Sequence, residues 1–274
     1  MPRLAIGVEY DGSAYSGWQI QPALKSVQQE VERALSRVAD APISVTCAGR
    51  TDAGVHARCQ VAHFDTHAQR SLRGWVLGAN TYLPADINLT WARPVPAHFH
   101  ARYSAEARTY RYYVFNRNVR SALLRGRAAW IYRPLHHERM AAAAPLLIGE
   151  HDFSAFRSAE CQARSPVRRL TRLTVAREGD FVLIEATANA FLHHMMRNIA
   201  GLLIAIGKGD AEPAWAAEVL ASRDRTRAAA TAPPEGLYLW RVAYPAAFDL
   251  PDGPPGPHRP GDPLSSLAFE PLRT

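Results

Sequence analysis

Residues 43–64 read ISVTCAGRTDAGVHARCQVAHF. Two segments of strand character, 43–47 and 59–64, flank a link that contains two glycines and also Arg50, Asp52 and His56. A turn needs flexible residues, but it needs neither a guanidinium nor a carboxylate. The flanking strands bear on the architecture, and the link poses a chemical question.

Upstream, Leu4, Ile6, Val8 and Tyr10 alternate with other residues, the period of a strand with a buried face. Ser26 and Gln29 have the spacing of a capping box. Val27, Val31, Ala34, Leu35 and Val38 then form one apolar stripe, as on an amphipathic helix. Downstream, the pattern predicts a helix over 72–83 and a strand over 87–93. The order strand, helix, strand, strand, helix, strand is the ferredoxin-like, split βαβ pattern.

A crossing marked by Pro94 and Pro96 leads to a second half with the same logic. Strands are expected over 109–115, 167–176, 181–188 and 237–244, with an added strand over 128–132. Helices are expected over 136–148, 194–206 and 213–221, and a tight turn at Glu178-Gly179-Asp180. The expected fold is α/β of the α+β type. Two ferredoxin-like βαββαβ lobes form one extended antiparallel sheet, with helices packed on it and a cleft between the lobes. The lobes are expected over 1–104 and 105–245. Residues 245–274 hold eight prolines and few charges, so a tail over 246–274 is expected to be irregular.

Length and composition suit a globular chain of two modest lobes: 274 residues, 47% hydrophobic. No run reaches the roughly 18 apolar residues of a membrane span. The N-terminal stretch reads as a strand rather than a signal peptide, so the expectation is a cytoplasmic protein with no membrane partner. Net charge is +7, and all but two of the 32 basic residues are arginine. Either a GC-rich genome or a polyanionic partner accounts for that bias, since arginine grips phosphate with a planar fork. Cys47, Cys59 and Cys161 form no CxxC pair, which argues against a zinc ribbon or a disulfide framework.

Arg50 lies two residues from Asp52, and a nearby guanidinium keeps a carboxylate ionised where water is excluded. Such an aspartate can serve as nucleophile or base. The plainer alternative is an Asx-type turn with a surface ion pair. A metal reading would gather Asp52, His56 and His63. His193 and His194, if helical, diverge by about 100° and do not readily clasp one ion. No metal is expected. The segment RTYRYYVF over 108–115 places Tyr110 and Tyr112 on one face and Arg111 and Tyr113 on the other. Tyrosine beside arginine on a sheet suits base stacking and phosphate contact, while a packed core is the alternative for any single ring. In NAFLHHMMRN over 189–198, Arg197 falls near the start of an apolar helix, where a charge needs a partner; Asp52 is the attractive candidate.

Taken together, these stretches resemble the tRNA pseudouridine synthase A family. The matching pieces are EYDGSAYSGWQ at 9–19, AGRTDAGVHA at 48–57 and FHARYSAEARTYRYYVFN at 99–116. DFSAFR at 152–157, NAFLHHMMRNIAG at 189–201 and EGLYLWRVAYP at 235–245 complete the set, in order, and the tail lies outside it. The resemblance implies an isomerase that converts uridine to pseudouridine at positions 38, 39 and 40 of the tRNA anticodon arm. It implies no cofactor, and a homodimer whose two clefts cooperate on tRNA. It puts Asp52 on the catalytic aspartate and Tyr110 on the tyrosine that packs against the target base. It puts Arg50 and Arg197 on cleft arginines, Arg197 being the aspartate's ion-pair partner. Isomerisation explains a lone carboxylate: a sugar carbon losing its base becomes oxocarbenium-like, and no second group is needed to activate water. The rival classes are a non-catalytic RNA-binding protein with the same lobes and a metal-dependent hydrolase.

Overall fold

The computed structural model describes residues 1–251. Ten strands form a single, mostly antiparallel sheet. In the first unit, β1 (Arg3–Tyr10) is central. It lies between β3 (His56–Asp65) and the edge strand β4 (Ile87–Val95), while β2 (Thr46–Cys47) pairs with the far half of β3. The order β4-β1-β3-β2 is that of a ferredoxin-like unit. The second unit repeats it. β5 (Ala107–Asn116) is central between β10 (Leu237–Ala243) and β9 (Phe181–Ala188), with β8 (Val167–Glu178) beyond. β7 (Gly149–Asp152) adds an outer edge, and β6 (Ala129–Ile131) pairs in parallel with the end of β5.

One short seam joins the units. β10 runs parallel to β3, pairing Tyr238 with His56 and Leu239 with Ala57. It does so at the end of β3 that β2 leaves open, because β2 covers only Ala62 and His63.

The helices follow from capping and pattern. Ser26 caps α1 (Val27–Ala39) by accepting from the Gln29 N–H, and the stripe Val27, Val31, Ala34 and Leu35 is buried. Ser71 caps α2 (Leu72–Tyr82) in the same way, and Trp75 meets Phe64 edge-on at 5.2 Å. In the second unit, α3 (His137–Ala143) packs on α4 (Met195–Gly207) and β8, and α5 (Trp215–Ser222) follows. Tyr110, Tyr112 and Val114 face this larger core. Tyr113, Phe115, Tyr238 and Trp240 form a smaller cluster on the other side of the sheet.

Three elements differ from expectation for physical reasons. The strand expected over 43–47 shrinks to two residues. The Ile43 N–H is taken by Ser36 Oγ and the Val45 N–H by Glu32 Oε1, so side chains of α1 occupy donors that a ladder would use. The helix expected over 136–148 splits into α3 and a 3₁₀ turn (Ala144–Leu147), since Pro145 cannot donate an amide hydrogen bond. β4 runs through Pro94, which an edge strand tolerates. Of the proline-rich stretch, residues 246–248 form a 3₁₀ turn whose Phe248 ring lies 5.0 Å from Phe99. The rest of that stretch, from residue 252, lies outside the described residues.

Candidate active site

The link between β2 and β3 is held from below by the loop after β1. Trp18 donates its N–H to Thr51 O at 3.0 Å, and Gly54 donates to Tyr15 O at 3.2 Å. Gly17 has φ +94, and a Cβ there would stand 2.6 Å from Thr51 O. Only glycine permits that approach with that conformation. Thr51 is buried, and its Oγ1 lies 2.8 Å from Tyr10 Oη. Asp52 then turns outward, its carbonyl accepting from the Val55 N–H at 3.1 Å.

The Asp52 carboxylate meets the start of α4. Arg197 Nη1 donates to Oδ2 at 3.3 Å. His193 Nε2 lies 3.3 Å from Oδ1, and His194 Nε2 lies 3.4 Å from Oδ2. Side-chain exposure is 22% for Asp52 and 14% for Arg197, so the pair is largely sheltered but reachable. The N-terminal end of a helix also favours negative charge.

Arg197 is itself fixed. Its Nε donates to Ala232 O at 2.9 Å, and its own carbonyl accepts from the Ala232 N–H. The next residue, Asn198, is wholly buried and fully engaged. It donates to Phe156 O and accepts from Thr231 Oγ1 and Arg225 Nη2. The segment at 152–157 thus buttresses the first turn of α4.

His194 is the N-cap of α4 with φ 63 and makes no side-chain cap bond. A non-glycine residue in the left-handed region at a site is a functional pointer. The expectation that His193 and His194 diverge fails for this reason. The pair is not helical, its rings lie 4.1 Å apart, and both Nε2 atoms face one carboxylate. Burial holds the His194 imidazole below its ordinary pKa, against the opposing pull of Asp52.

Tyr110 sits beside this group and is 8% exposed. Phe191, in the run-in to α4, meets its ring edge-on at 4.8 Å. Burial pushes the Tyr110 phenol far above its usual pKa, and the Asp52 charge adds to the shift, so the hydroxyl stays protonated. The other aromatics of 108–115 are not available for stacking. Tyr112 and Tyr113 are fully buried, while Arg111 pairs with Glu185 and lies over the Trp240 ring.

Arg50 is exposed and forms no ion pair with Asp52; the guanidinium at the carboxylate is that of Arg197. His56 and His63 are buried elsewhere. His56 stacks on Tyr238, and His63 accepts from the Ala101 N–H.

One residue without a role in the sequence reading binds the site together. Arg108, almost fully buried, donates to the carbonyls of Ala48, Arg102, Ala105 and Asn189. It ties the start of the Asp52 link to the run-in of α4. A charged residue at the head of a strand gives no sequence signal of such a clamp.

The site is thus a sheltered carboxylate held by arginine, beside a buried aromatic pair and at the joint of two ferredoxin-like units. The family model described as tRNA pseudouridine synthase matches residues 6–104 and 143–245. The chain is 57% identical over 260 residues to tRNA pseudouridine synthase A of Methylococcus capsulatus, covering 95% of this chain and 96% of that protein. It is 59% identical over 257 residues to the protein of the same name from Coxiella burnetii, covering 94% and 98%. The corresponding protein of Legionella pneumophila is 54% identical over 255 residues, covering 93% and 97%. The chain belongs to the tRNA pseudouridine synthase family. No helix among its described residues is long and apolar enough to cross a membrane.

Proposed function

We propose that this chain isomerises uridine to pseudouridine at positions 38, 39 and 40 of the tRNA anticodon arm, with Asp52 as the one catalytic carboxylate. The carrying observation is the convergence of Asp52 with Arg197 at 3.3 Å, next to Tyr110. The units over 1–104 and 105–245 form the two walls of the cleft, and the protein acts in the cytoplasm as a homodimer.

The reaction breaks the N1–C1′ bond, turns the uracil and forms a C5–C1′ bond; C5 loses a proton and N1 regains one. The base must first leave its stack, and a flipped nucleotide is gripped by stacking. Tyr110, braced by Phe191, provides that surface. Positive charge develops on the sugar as the base departs, and the Asp52 carboxylate meets it. Arg197 keeps the carboxylate ionised and aimed while RNA excludes water. Arg50, exposed on the same link, is free to contact the RNA backbone.

Tritium release from tRNA carrying C5-labelled uridine tests the reading. Asp52→Ala and Asp52→Asn should release none above background while still binding tRNA. Turnover within tenfold of wild type in either variant would remove Asp52 from the chemistry.

A further inference from the structure

Among the described residues, Asp52, His193 and His194 are the one group of His, Cys, Asp and Glu side chains whose ligand atoms all lie within 4.8 Å of one another. Each imidazole Nε2 stands 3.3 or 3.4 Å from a carboxylate oxygen. A tetrahedral zinc ion with bonds of about 2.0–2.1 Å has ligand–ligand edges of about 3.3 Å. The two rings reach this arrangement only because His194 adopts φ 63. All three side chains are partly exposed, which leaves an approach from the cleft.

We propose that Asp52, His193 and His194 form a binding site for a borderline-soft divalent cation of the zinc type, and that loading it blocks the enzyme. Two imidazoles and one carboxylate suit zinc or cobalt and discriminate against magnesium, which prefers oxygen ligands and keeps its water. His193 faces Oδ1, while His194 and Arg197 both face Oδ2. A cation that takes both imidazoles therefore binds one carboxylate oxygen after a small rotation of the carboxylate and keeps the guanidinium as an outer partner. That nearby positive charge weakens the site, while Glu160, close enough to act on His194, offsets part of it. The result is an exchangeable, inhibitory site rather than a resident cofactor. The blockade rests on Asp52 being the reacting carboxylate; the binding does not.

The test uses the full-length protein after chelator treatment. Cobalt(II) is titrated and followed by its visible absorption, and zinc is measured by competition with a chromophoric chelator. One equivalent should bind with a tetrahedral cobalt spectrum. His193→Asn and His194→Asn should each weaken zinc more than about a hundredfold, beyond the loss of about 10–100-fold seen for an outer-sphere partner. An equal excess of magnesium should not displace the cobalt. Wild-type stoichiometry and affinity in the double variant His193→Asn/His194→Asn, or ready displacement by magnesium, would overturn the site. Binding that requires all three groups but leaves tritium release intact would uphold the site and overturn the catalytic reading of Asp52.

Discussion

Arg197 Nη1 lies 3.3 Å from Asp52 Oδ2, joining residues 145 positions apart in the chain. The contact brings the loop of one βαββαβ unit against the helix start of the other. Replacing Arg197 with Met removes the donor and leaves the carboxylate without its permanent positive charge. Loss of one preorganised electrostatic partner costs roughly 10²–10³ in turnover. Arg197→Met should show that loss in kcat by tritium release. Its tRNA affinity should fall much less, which filter binding can check. A kcat within threefold of wild type would mean the ion pair is ornamental.

Arg108 should matter for stability, as its burial and its four carbonyl partners suggest. Its guanidinium serves four main-chain carbonyls from three places in the chain. Each buried carbonyl left without a donor costs about 1–3 kcal/mol. Arg108→Met should lower unfolding free energy by at least about 3 kcal/mol in urea titration, and Arg108→Lys, lacking the fork, should recover only part.

Gly17 lets the first loop press against the link that carries Asp52. Gly17→Ala combines a φ of +94 with a Cβ 2.6 Å from Thr51 O. Where native φ is positive, alanine destabilises by more than about 1 kcal/mol. The displaced backbone leads directly into Asp52, so single-turnover rate should fall further than tRNA affinity. Equal losses in both would place the defect in folding alone.

His63 links acidity to stability. Burial lowers its pKa from 6.5 to about 4, with Arg3 and His100 adding in the same direction and Asp65 opposing. The neutral ring accepts from the Ala101 N–H at 3.1 Å, a bond that Nδ1 protonation would break. The unfolded state binds the proton first, so stability is lost as pH drops below 6.5, and the loss is complete below about 4. His63→Asn keeps an acceptor and does not titrate. Its melting temperature should therefore fall less than that of wild type between pH 7.5 and 5. Parallel curves would exclude His63 as the source.

Binding to tRNA should weaken steeply with salt, because all but two of the 32 basic residues are arginine and the net charge is +7. Neutralising several phosphates gives a log–log slope of about −0.7 to −0.9 per contact, so a slope steeper than about −3 is expected in filter binding. A flat titration from low to physiological salt would refute a phosphate-dominated grip.

Much of this was readable from the chain. Alternation over 4–10, the Ser26 cap and the β-α-β-β-α-β order each reflect local physics, and local physics survives in the fold. Arg197 was recognisable as a charge needing a partner at an apolar helix start. Its near neighbours were not. Whether His193 and His194 converge depends on one backbone angle at His194, and no residue-type pattern encodes a left-handed histidine. The truncation of β2 was hidden for a related reason, since Glu32 and Ser36 reach it from a helix that reads as merely amphipathic. Arg50 is close to Asp52 in sequence, but it is exposed, and the guanidinium at the carboxylate is that of Arg197.

The two-residue seam between Tyr238–Leu239 and His56–Ala57 sets a timetable for the newborn chain. The first unit precedes β10 in the chain, so that end of β3 stays bare until β10, the most C-terminal strand among the described residues, has been made. Arg197 and the residue that anchors it, Ala232, are also translated late. A nascent chain therefore carries Asp52 before it carries the guanidinium that contacts it. The carboxylate and its guanidinium come together only once residues 197–239 have joined the first unit.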